Sequence, residues 1–202
     1  WINEFMLDLP QSPSLENLPY GTNIVKKEDL PTPPETTWMG YRNREGYAGT
    51  KNLLGIMTTV QCVAGVMRVA VERIRRELLP LYPNVDDVVT ITHPYGCGVA
   101  INAPLAYIPI RSIKNLIHHP NFGGEIMVVG LGCEKLTLDR ILTEEEISSE
   151  NCLLIQECSG HDAMMDAILA MAKKKLERLN QRKRVELPLS ELLVGMQCGG
   201  SD

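Results

Sequence analysis

The chain lacks the features that mark several common classes of protein. No stretch approaches the roughly 18 consecutive apolar residues of a membrane span, and the first residues lack the basic and then apolar pattern of a signal peptide. There is no P-loop, no complete Gly-x-Gly-x-x-Gly fingerprint and no Cys-x-x-Cys pair. The sequence therefore gives no indication of a membrane protein, a nucleotide-binding fingerprint or a zinc ribbon.

The cysteine content is low and the net charge is small. Six cysteines among 202 residues are too few for a disulfide-stabilised secreted scaffold, so we expect a reducing, cytoplasmic environment. The formal net charge of −5 argues against nucleic acid or an anionic membrane as the partner. A small acidic substrate stays compatible with this charge, because a local pocket can be positive in a negative protein.

The composition changes near residue 39. Residues 1–38 are polar and rich in proline, with the linker signal Pro31-Thr32-Pro33-Pro34, and we expect an extended arm there. Residues 39–202 alternate strand and helix patterns and predict one α/β catalytic-type domain. The chain closes on a glycine turn after Cys198, where a helix normally follows. We therefore expect a segment of a longer polypeptide, truncated at the C-terminal end of this domain.

Hydrophobic periodicity predicts the individual elements of residues 39–202. The predicted strands are 52–58, 87–92, 125–131, 153–156 and 192–196, and the predicted helices are 60–79, 103 or 109 to 118, and 159 or 162 to 180. Alternating strands and helices imply parallel pairing with right-handed crossovers. We therefore predict a mostly parallel sheet of about five strands with helices on both faces, a Rossmann-like three-layer sandwich.

Three cysteines set among glycines follow predicted strands. These are Cys97, Cys133 and Cys198. Ligands bind where the strands of an open α/β sheet end, and thiolates are good ligands for iron or zinc. We interpret the three thiols, with His93 in the same loop as Cys97, as a metal site or reactive centre. The alternative is that all three are small buried hydrophobic residues in tight turns. Burial is also what we expect for Cys62, within a predicted helix, and for Cys152 and Cys158, which flank a predicted strand.

Two further groups of polar residues are candidates for the site. Glu134 directly follows Cys133, where a carboxylate could bind metal or transfer a proton. Arg42, Asn43, Lys51 and Asn52 surround the first strand of the predicted sheet, and such side chains suit the recognition of carboxylates and hydroxyls. On spacing alone, a hydrated hairpin explains this second cluster better.

Several long motifs resemble the galactarate dehydratase and altronate dehydratase family over about residues 39–202. They are Gly40-Tyr41-Arg42-Asn43, Gly49-Thr50-Lys51-Asn52-Leu53-Leu54-Gly55-Ile56, Tyr95-Gly96-Cys97-Gly98-Val99-Ala100-Ile101-Asn102-Ala103-Pro104, Asn121-Phe122-Gly123-Gly124-Glu125, Gly130-Leu131-Gly132-Cys133-Glu134-Lys135-Leu136 and Gly195-Met196-Gln197-Cys198-Gly199-Gly200-Ser201-Asp202. Thr50-Lys51-Asn52 and Asn180-Gln181-Arg182 resemble galactarate dehydratase more than altronate dehydratase. The chain would then be the middle domain of a longer enzyme.

The resemblance implies a hydro-lyase that removes water from an aldarate such as galactarate, giving a 2-keto-3-deoxy sugar acid (5-dehydro-4-deoxy-glucarate), assisted by Fe²⁺. It implies that Cys97, Cys133 and Cys198, with His93, bind the iron, and that Glu134 or His93 carries the proton. Mononuclear iron is preferred, although three cysteines could also hold an iron–sulfur cluster.

The same resemblance assigns the substrate's carboxylate and hydroxyls to Arg42, Asn43, Lys51 and Asn52. Its expected partners are the remaining domains of the full-length enzyme and a second copy in a homodimer. Three alternatives remain: an altronate dehydratase, a related sulfolactate-type carbon–sulfur lyase, and a non-catalytic metal-binding or assembly domain. Because the proposed site lies beside the truncated end of the chain, we expect the isolated segment to be inactive.

Overall fold

The computed structural model describes residues 27–32, 34–44, 47–93, 97 and 100–197. Contacts within the chain divide it into two compact units, with the boundary between Glu35 and Thr36. The described residues of the first unit include one 3₁₀ turn, Lys27–Asp29. Most of the predicted extended arm lies outside the described residues.

The second unit contains two sheets and three α-helices within the described ranges. The strands are β1 (Thr37–Gly40), β2 (Leu53–Thr58), β3 (Asp87–Ile91), β4 (Val128–Gly130), β5 (Cys152–Leu154) and β6 (Val185–Pro188), and the helices are α1 (Ala64–Glu77), α2 (Tyr107–Ile117) and α3 (His161–Leu179). Four strands form a parallel sheet in the order β3-β2-β4-β5. The predicted α/β class is confirmed, with four strands in the parallel sheet.

Strand β2 lies in the interior of this sheet, and both of its faces are covered. Leu54 and Ile56 face a core built with α1 and α3, whereas Met57 faces a second core built with α2. Alternate residues of a strand point to opposite faces, so two separate cores on one strand require helices on both sides. The three-layer arrangement predicted from the sequence is therefore confirmed.

Helix α1 shows why the periodicity predicted the helices well. Met67, Ala70, Val71 and Ile74 are buried, at the spacing of one helical face. The helix ends at Glu77, just before Pro80, which cannot continue the backbone hydrogen bonding. Helices α2 and α3 likewise fall within the predicted ranges.

The predicted strand at 192–196 is wrong. No strand is assigned to these residues, and Leu193 and Val194 are 62% and 64% exposed. The strand in this part of the chain is instead β6, which pairs antiparallel with β1 so that Trp38 lies opposite Leu187. A short apolar run predicts a strand only if a neighbouring strand can pair with it, and within the described residues 192–196 has none.

The connection between β1 and β2 is closed by a pair of backbone hydrogen bonds. Tyr41 and Gly49 each donate to the carbonyl of the other at 2.8 Å. Within the described part of the chain, no helix combines the length and apolarity needed to cross a membrane.

Candidate functional site

The carboxyl ends of β2, β3 and β4 meet at one edge of the parallel sheet. These strands end at Thr58, Ile91 and Gly130. His93 and Cys97 follow β3, and Cys133 and Glu134 follow β4. The structure therefore places these four predicted site residues after strands that end at the same edge, which we call the carboxyl edge.

The Glu134 carboxylate is held in place by three hydrogen-bond donors. It accepts from the backbone N–H groups of Leu131, at 2.9 Å, and Gly132, at 2.6 Å, and from the hydroxyl of Thr59. Burial raises the pKa of Glu134, but these hydrogen bonds together outweigh burial and hold the pKa below its usual range. Glu134 is therefore ionised at neutral pH.

The carboxylate of Glu134 occupies space that only a glycine at position 130 leaves open. A Cβ added to Gly130 would lie 2.6 Å from Glu134 Oε1 and 3.0 Å from the Thr59 hydroxyl oxygen. The glycine in the Gly130-Leu131-Gly132 motif thus allows the carboxylate to approach the end of β4.

His93 is buried at the same edge. Burial lowers the pKa of its imidazole, and interactions with the backbone of Thr59 and Thr58 offset this only in part. The imidazole is therefore neutral at pH 7 and can accept a proton. Because Glu134 and His93 both contact Thr59, this threonine connects the two residues predicted to carry protons.

The structure describes two of the three predicted metal-binding thiols, Cys97 and Cys133. Cys133 is exposed, and its sulfur lies 3.5 Å from Nε2 of Gln156. Cys97 is also exposed, and Cys198 lies outside the described residues. Cys62, which we expected to be buried, is exposed because it sits in the 3₁₀ turn before α1 and Val63 takes the buried position.

Cys152 and Cys158 are partly buried and pack against the two cores, as expected for small hydrophobic residues. Across the described ranges, no three His, Cys, Asp or Glu side chains gather closely enough to hold a metal ion. The described residues therefore do not supply a complete set of iron ligands.

Asn52 lies at the opposite edge of the sheet, where β2 begins, and it is fully buried. Its amide nitrogen donates to the carbonyls of Asn84, at 2.7 Å, and Leu179, at 2.9 Å. Its side-chain oxygen accepts from Arg182 at 2.9 Å. These contacts satisfy the hydrogen-bonding groups of the Asn52 amide within the protein. Asn52 therefore links distant chain segments by hydrogen bonds. We call this edge of the sheet the amino edge.

The other three predicted substrate residues lie near Asn52. Arg42 forms an ion pair with Glu191 at 3.2 Å, and the Asn43 side-chain oxygen accepts from Arg182 at 2.6 Å. Lys51 is exposed, and its backbone N–H donates to Asn121. The structure thus brings Arg42, Asn43 and Asn52 together around Arg182, with Lys51 next to Asn52.

The length of β2 separates this group from the carboxyl edge. Six residues of strand lie between Asn52 and Thr59, and a strand rises about 3.3 Å per residue, so the two ends are roughly 20 Å apart. That distance exceeds the length of a six-carbon acid. The substrate-binding role expected for Lys51 and Asn52 stays a prediction, and in this chain the two residues lie a strand's length from Glu134 and His93.

Sequence reasoning assigned no role to two residues that organise these edges. Thr59 directly follows the predicted strand 52–58, but nothing local indicates its contact with Glu134, which is 75 residues away. Arg182 falls in the Asn180-Gln181-Arg182 motif, but nothing local indicates its contacts with Asn52 and Asn43. It lines a cavity of about 1100 Å³ at the amino edge, whose other lining residues include Arg42, Asn43, Arg44, Lys175 and Arg178.

Comparisons with known proteins agree with the resemblance. The chain is 52% identical to galactarate dehydratase (L-threo-forming) of Escherichia coli (strain K12), a match that covers the whole chain and 40% of that relative. It is 36% identical to altronate dehydratase of Bacillus subtilis (strain 168), over 82% of the chain and 33% of the relative. The altronate dehydratase of Escherichia coli (strain K12) is 32% identical over 80% of the chain and 32% of its own length.

The chain thus spans about two fifths of the length of the galactarate dehydratase that it resembles. A family model described as D-galactarate dehydratase/altronate hydrolase, second domain, matches residues 40–180. This match includes the whole parallel sheet, both edges and all three helices. The chain belongs to the D-galactarate dehydratase/altronate hydrolase family and corresponds to the second domain of its longer enzymes.

Proposed function

We propose that the intact protein containing this chain is a hydro-lyase that removes water from an aldarate such as galactarate. The product would be a 2-keto-3-deoxy sugar acid, 5-dehydro-4-deoxy-glucarate. The identity to galactarate dehydratase over the whole chain supports this choice of substrate class. The observation that carries the proposal is that a buried, neutral His93 and an ionised Glu134 both lie next to Thr59 at the carboxyl edge, His93 through the Thr59 backbone and Glu134 through the Thr59 hydroxyl.

The reaction requires two bonds to break. The proton α to a carboxylate leaves as H⁺ to a base, and the β-hydroxyl leaves with its bonding electrons and takes up a proton to form water. The resulting enol then tautomerises to the 2-keto acid. A base within hydrogen-bond reach of the α-proton and an electrostatic partner for the developing charge are what this chemistry demands.

His93 is the better proton acceptor of the two candidates. Its imidazole is neutral at pH 7, whereas the Glu134 carboxylate is stabilised as an anion by three donors and is a weak base for that reason. We assign Glu134 the role of a fixed acceptor for a substrate hydroxyl. Cys133 and Cys97 lie in loops at this edge and would border the substrate.

Fe²⁺ stays part of the proposal as a Lewis acid that would polarise the substrate carboxylate and the leaving hydroxyl. Cys97, Cys133 and Cys198 would hold the iron together with ligands from other domains, whereas His93 would stay unligated so that it can act as the base. Iron and acid-labile sulfide analysis of anaerobically prepared intact protein tests this assignment. Iron without sulfide supports a mononuclear site, stoichiometric sulfide indicates a cluster, and absence of iron from the active protein overturns the assignment.

The other expected partners follow from the same proposal. The remaining domains of a longer enzyme would complete the substrate site, and the protein would act in the cytoplasm as a homodimer. The two altronate dehydratase relatives favour altronate as a second candidate substrate. Parallel assays of the intact protein with galactarate, altronate and sulfolactate separate these possibilities.

The decisive experiment replaces His93 with Asn in the intact protein. We expect kcat/KM for galactarate to fall by about 10²- to 10⁴-fold, the usual range for loss of a general base, while the melting temperature is recorded alongside. His161→Asn is the matched control, because His161 is exposed at the start of α3. A fully folded His93→Asn protein with activity within threefold of wild type would contradict the proposed mechanism.

A further inference from the structure

Arg182 lies half-buried in the cavity at the amino edge and is held there by neutral oxygen atoms. Its Nη1 donates to Asn52 at 2.9 Å, and its Nη2 donates to the side chain of Asn43 at 2.6 Å and to the carbonyl of Arg42 at 3.4 Å. A guanidinium has five N–H donors, so two remain for a further partner. The contacts orient the side chain without neutralising its charge.

The backbone next to Arg182 leaves space for this side chain. Gly123 has φ of 63°, in the left-handed region that glycine adopts readily. A Cβ added to Gly123 would lie 2.4 Å from Arg182 Nη1. The guanidinium therefore occupies a place that the absence of a side chain at position 123 creates.

Arg182 differs from three neighbouring cations in its ion pairing, because it has no carboxylate partner among the described residues. Lys175 and Arg178 both pair with Glu125, at 3.3 and 3.1 Å, and Arg42 pairs with Glu191. Burial lowers the pKa of Arg182, since removing the guanidinium from water disfavours its charged form. A cation in this situation is stabilised by an anion brought to it.

The charge of the whole cavity points the same way. Among the residues that the structure describes, five cationic side chains line it, Arg42, Arg44, Lys175, Arg178 and Arg182, against two carboxylates, Glu125 and Glu150. Glu191 compensates one of the cations. The carboxyl ends of α2 and α3, which carry about half a negative charge each, compensate about one more. Roughly one positive charge remains, near Arg182 and Arg44.

We propose that this cavity is a carboxylate-binding site with Arg182 as its anchor. The site is separate from the chemistry at the carboxyl edge, so neither proposal depends on the other. Two sources could supply the carboxylate: a free dicarboxylate, or an aspartate or glutamate of the longer protein. Both would present the same group to Arg182, and the experiment distinguishes them.

The first arm titrates the intact protein with malonate at constant ionic strength and follows binding by calorimetry. We expect saturable binding that weakens at least tenfold in Arg182→Lys and in the double variant Arg42→Gln/Arg44→Gln. The double variant keeps Arg182 and its hydrogen bonds, so weaker binding in it cannot be attributed to a folding defect caused by the loss of Arg182. Arg140→Gln is the matched control, because Arg140 is exposed and does not line the cavity.

The second arm treats the Arg182→Lys protein with a zero-length carbodiimide reagent, which joins an amine to an adjacent carboxylate as an amide. A cross-link between the introduced lysine and an Asp or Glu other than Glu125 and Glu150, which already line the cavity, would assign the carboxylate to the protein itself, and mass spectrometry identifies the linked residue. Malonate binding that depends on Arg182 would assign it to a free ligand. The proposal is overturned if malonate binds all variants equally, or if neither binding nor a cross-link is found.

Discussion

Among single residues, Glu134 shows how a sheet edge fixes a charged side chain. Two backbone N–H groups and the buried Thr59 hydroxyl converge on one carboxylate. Hydrogen bonds to charged groups contribute about 1.5–3 kcal/mol each to stability. The Thr59 hydroxyl is the one side-chain donor of the three, so a substitution can remove it without altering the backbone.

We predict that Thr59→Val lowers the free energy of unfolding at pH 7 by about 1–3 kcal/mol. A folded-state pKa of Glu134 below its ordinary value of 4.5 means that the stabilisation is present above pH 4.5 and is lost as pH falls through the folded-state pKa. The difference between wild type and Thr59→Val should therefore shrink at pH 3. Urea unfolding at both pH values measures it.

Thr59→Ser is the control for this prediction, since it retains the hydroxyl and loses only a methyl group. It should keep the pH dependence of the wild type. A difference between Thr59→Val and wild type that is equally large at pH 7 and pH 3 would show that packing, not the hydrogen bond, explains the loss.

Among the elements, β2 owes its position to close contact with the turn that precedes β4. Phe122, in the 3₁₀ turn Pro120–Phe122, packs directly against Gly55. A Cβ added to Gly55 would lie 2.5 Å from the Phe122 ring. Any larger residue at this position must displace the ring or bend the strand.

We predict that Gly55→Ala lowers the free energy of unfolding by about 1–3 kcal/mol, the usual cost of overpacking a core. Gly65→Ala provides the opposite case, because this glycine lies in α1 and an added Cβ would meet no atom within 4 Å. It should raise stability by about 0.5–1 kcal/mol through its higher helix propensity. Thermal unfolding of both variants tests the pair, and equal shifts would contradict the packing argument.

The elements also differ in how well the sequence predicted them. The helices were predicted because their buried residues recur at a spacing that the sequence itself displays, as Met67, Ala70 and Ile74 do. The strand expected at 192–196 was wrong and β6 was missed, because pairing between β1 and β6 joins segments about 150 residues apart. The local composition of either segment does not indicate a pairing partner so far away in the sequence.

For the whole molecule, Asn52 connects regions that are distant in sequence. Its side chain joins the start of β2 to Asn84 before β3, to Leu179 at the end of α3, and to Arg182. Loss of a partner costs about 1–3 kcal/mol for each buried polar group left without a hydrogen bond. Three such partners depend on this one amide.

We therefore predict that Asn52→Ala lowers the free energy of unfolding by more than about 2 kcal/mol, whereas Lys51→Ala, at an exposed position, changes it by less than about 0.5 kcal/mol. Chemical denaturation of both variants measures this. The contrary outcome, an Asn52→Ala protein of unchanged stability but impaired substrate binding, would restore Asn52 to the substrate-binding role that the family resemblance implied.

The sequence by itself determined the α/β class, the helices on both faces, the family, and the placement of His93, Cys97, Cys133 and Glu134 after strands that end at one edge. These follow from local periodicity and from the rule that parallel strands end together. Only the tertiary structure decided that Thr59 holds Glu134, that Asn52 and Asn43 hold Arg182, and that this group lies a strand's length from the carboxyl edge. Such contacts join residues 75 to 139 positions apart, and they form because packing brings those segments together.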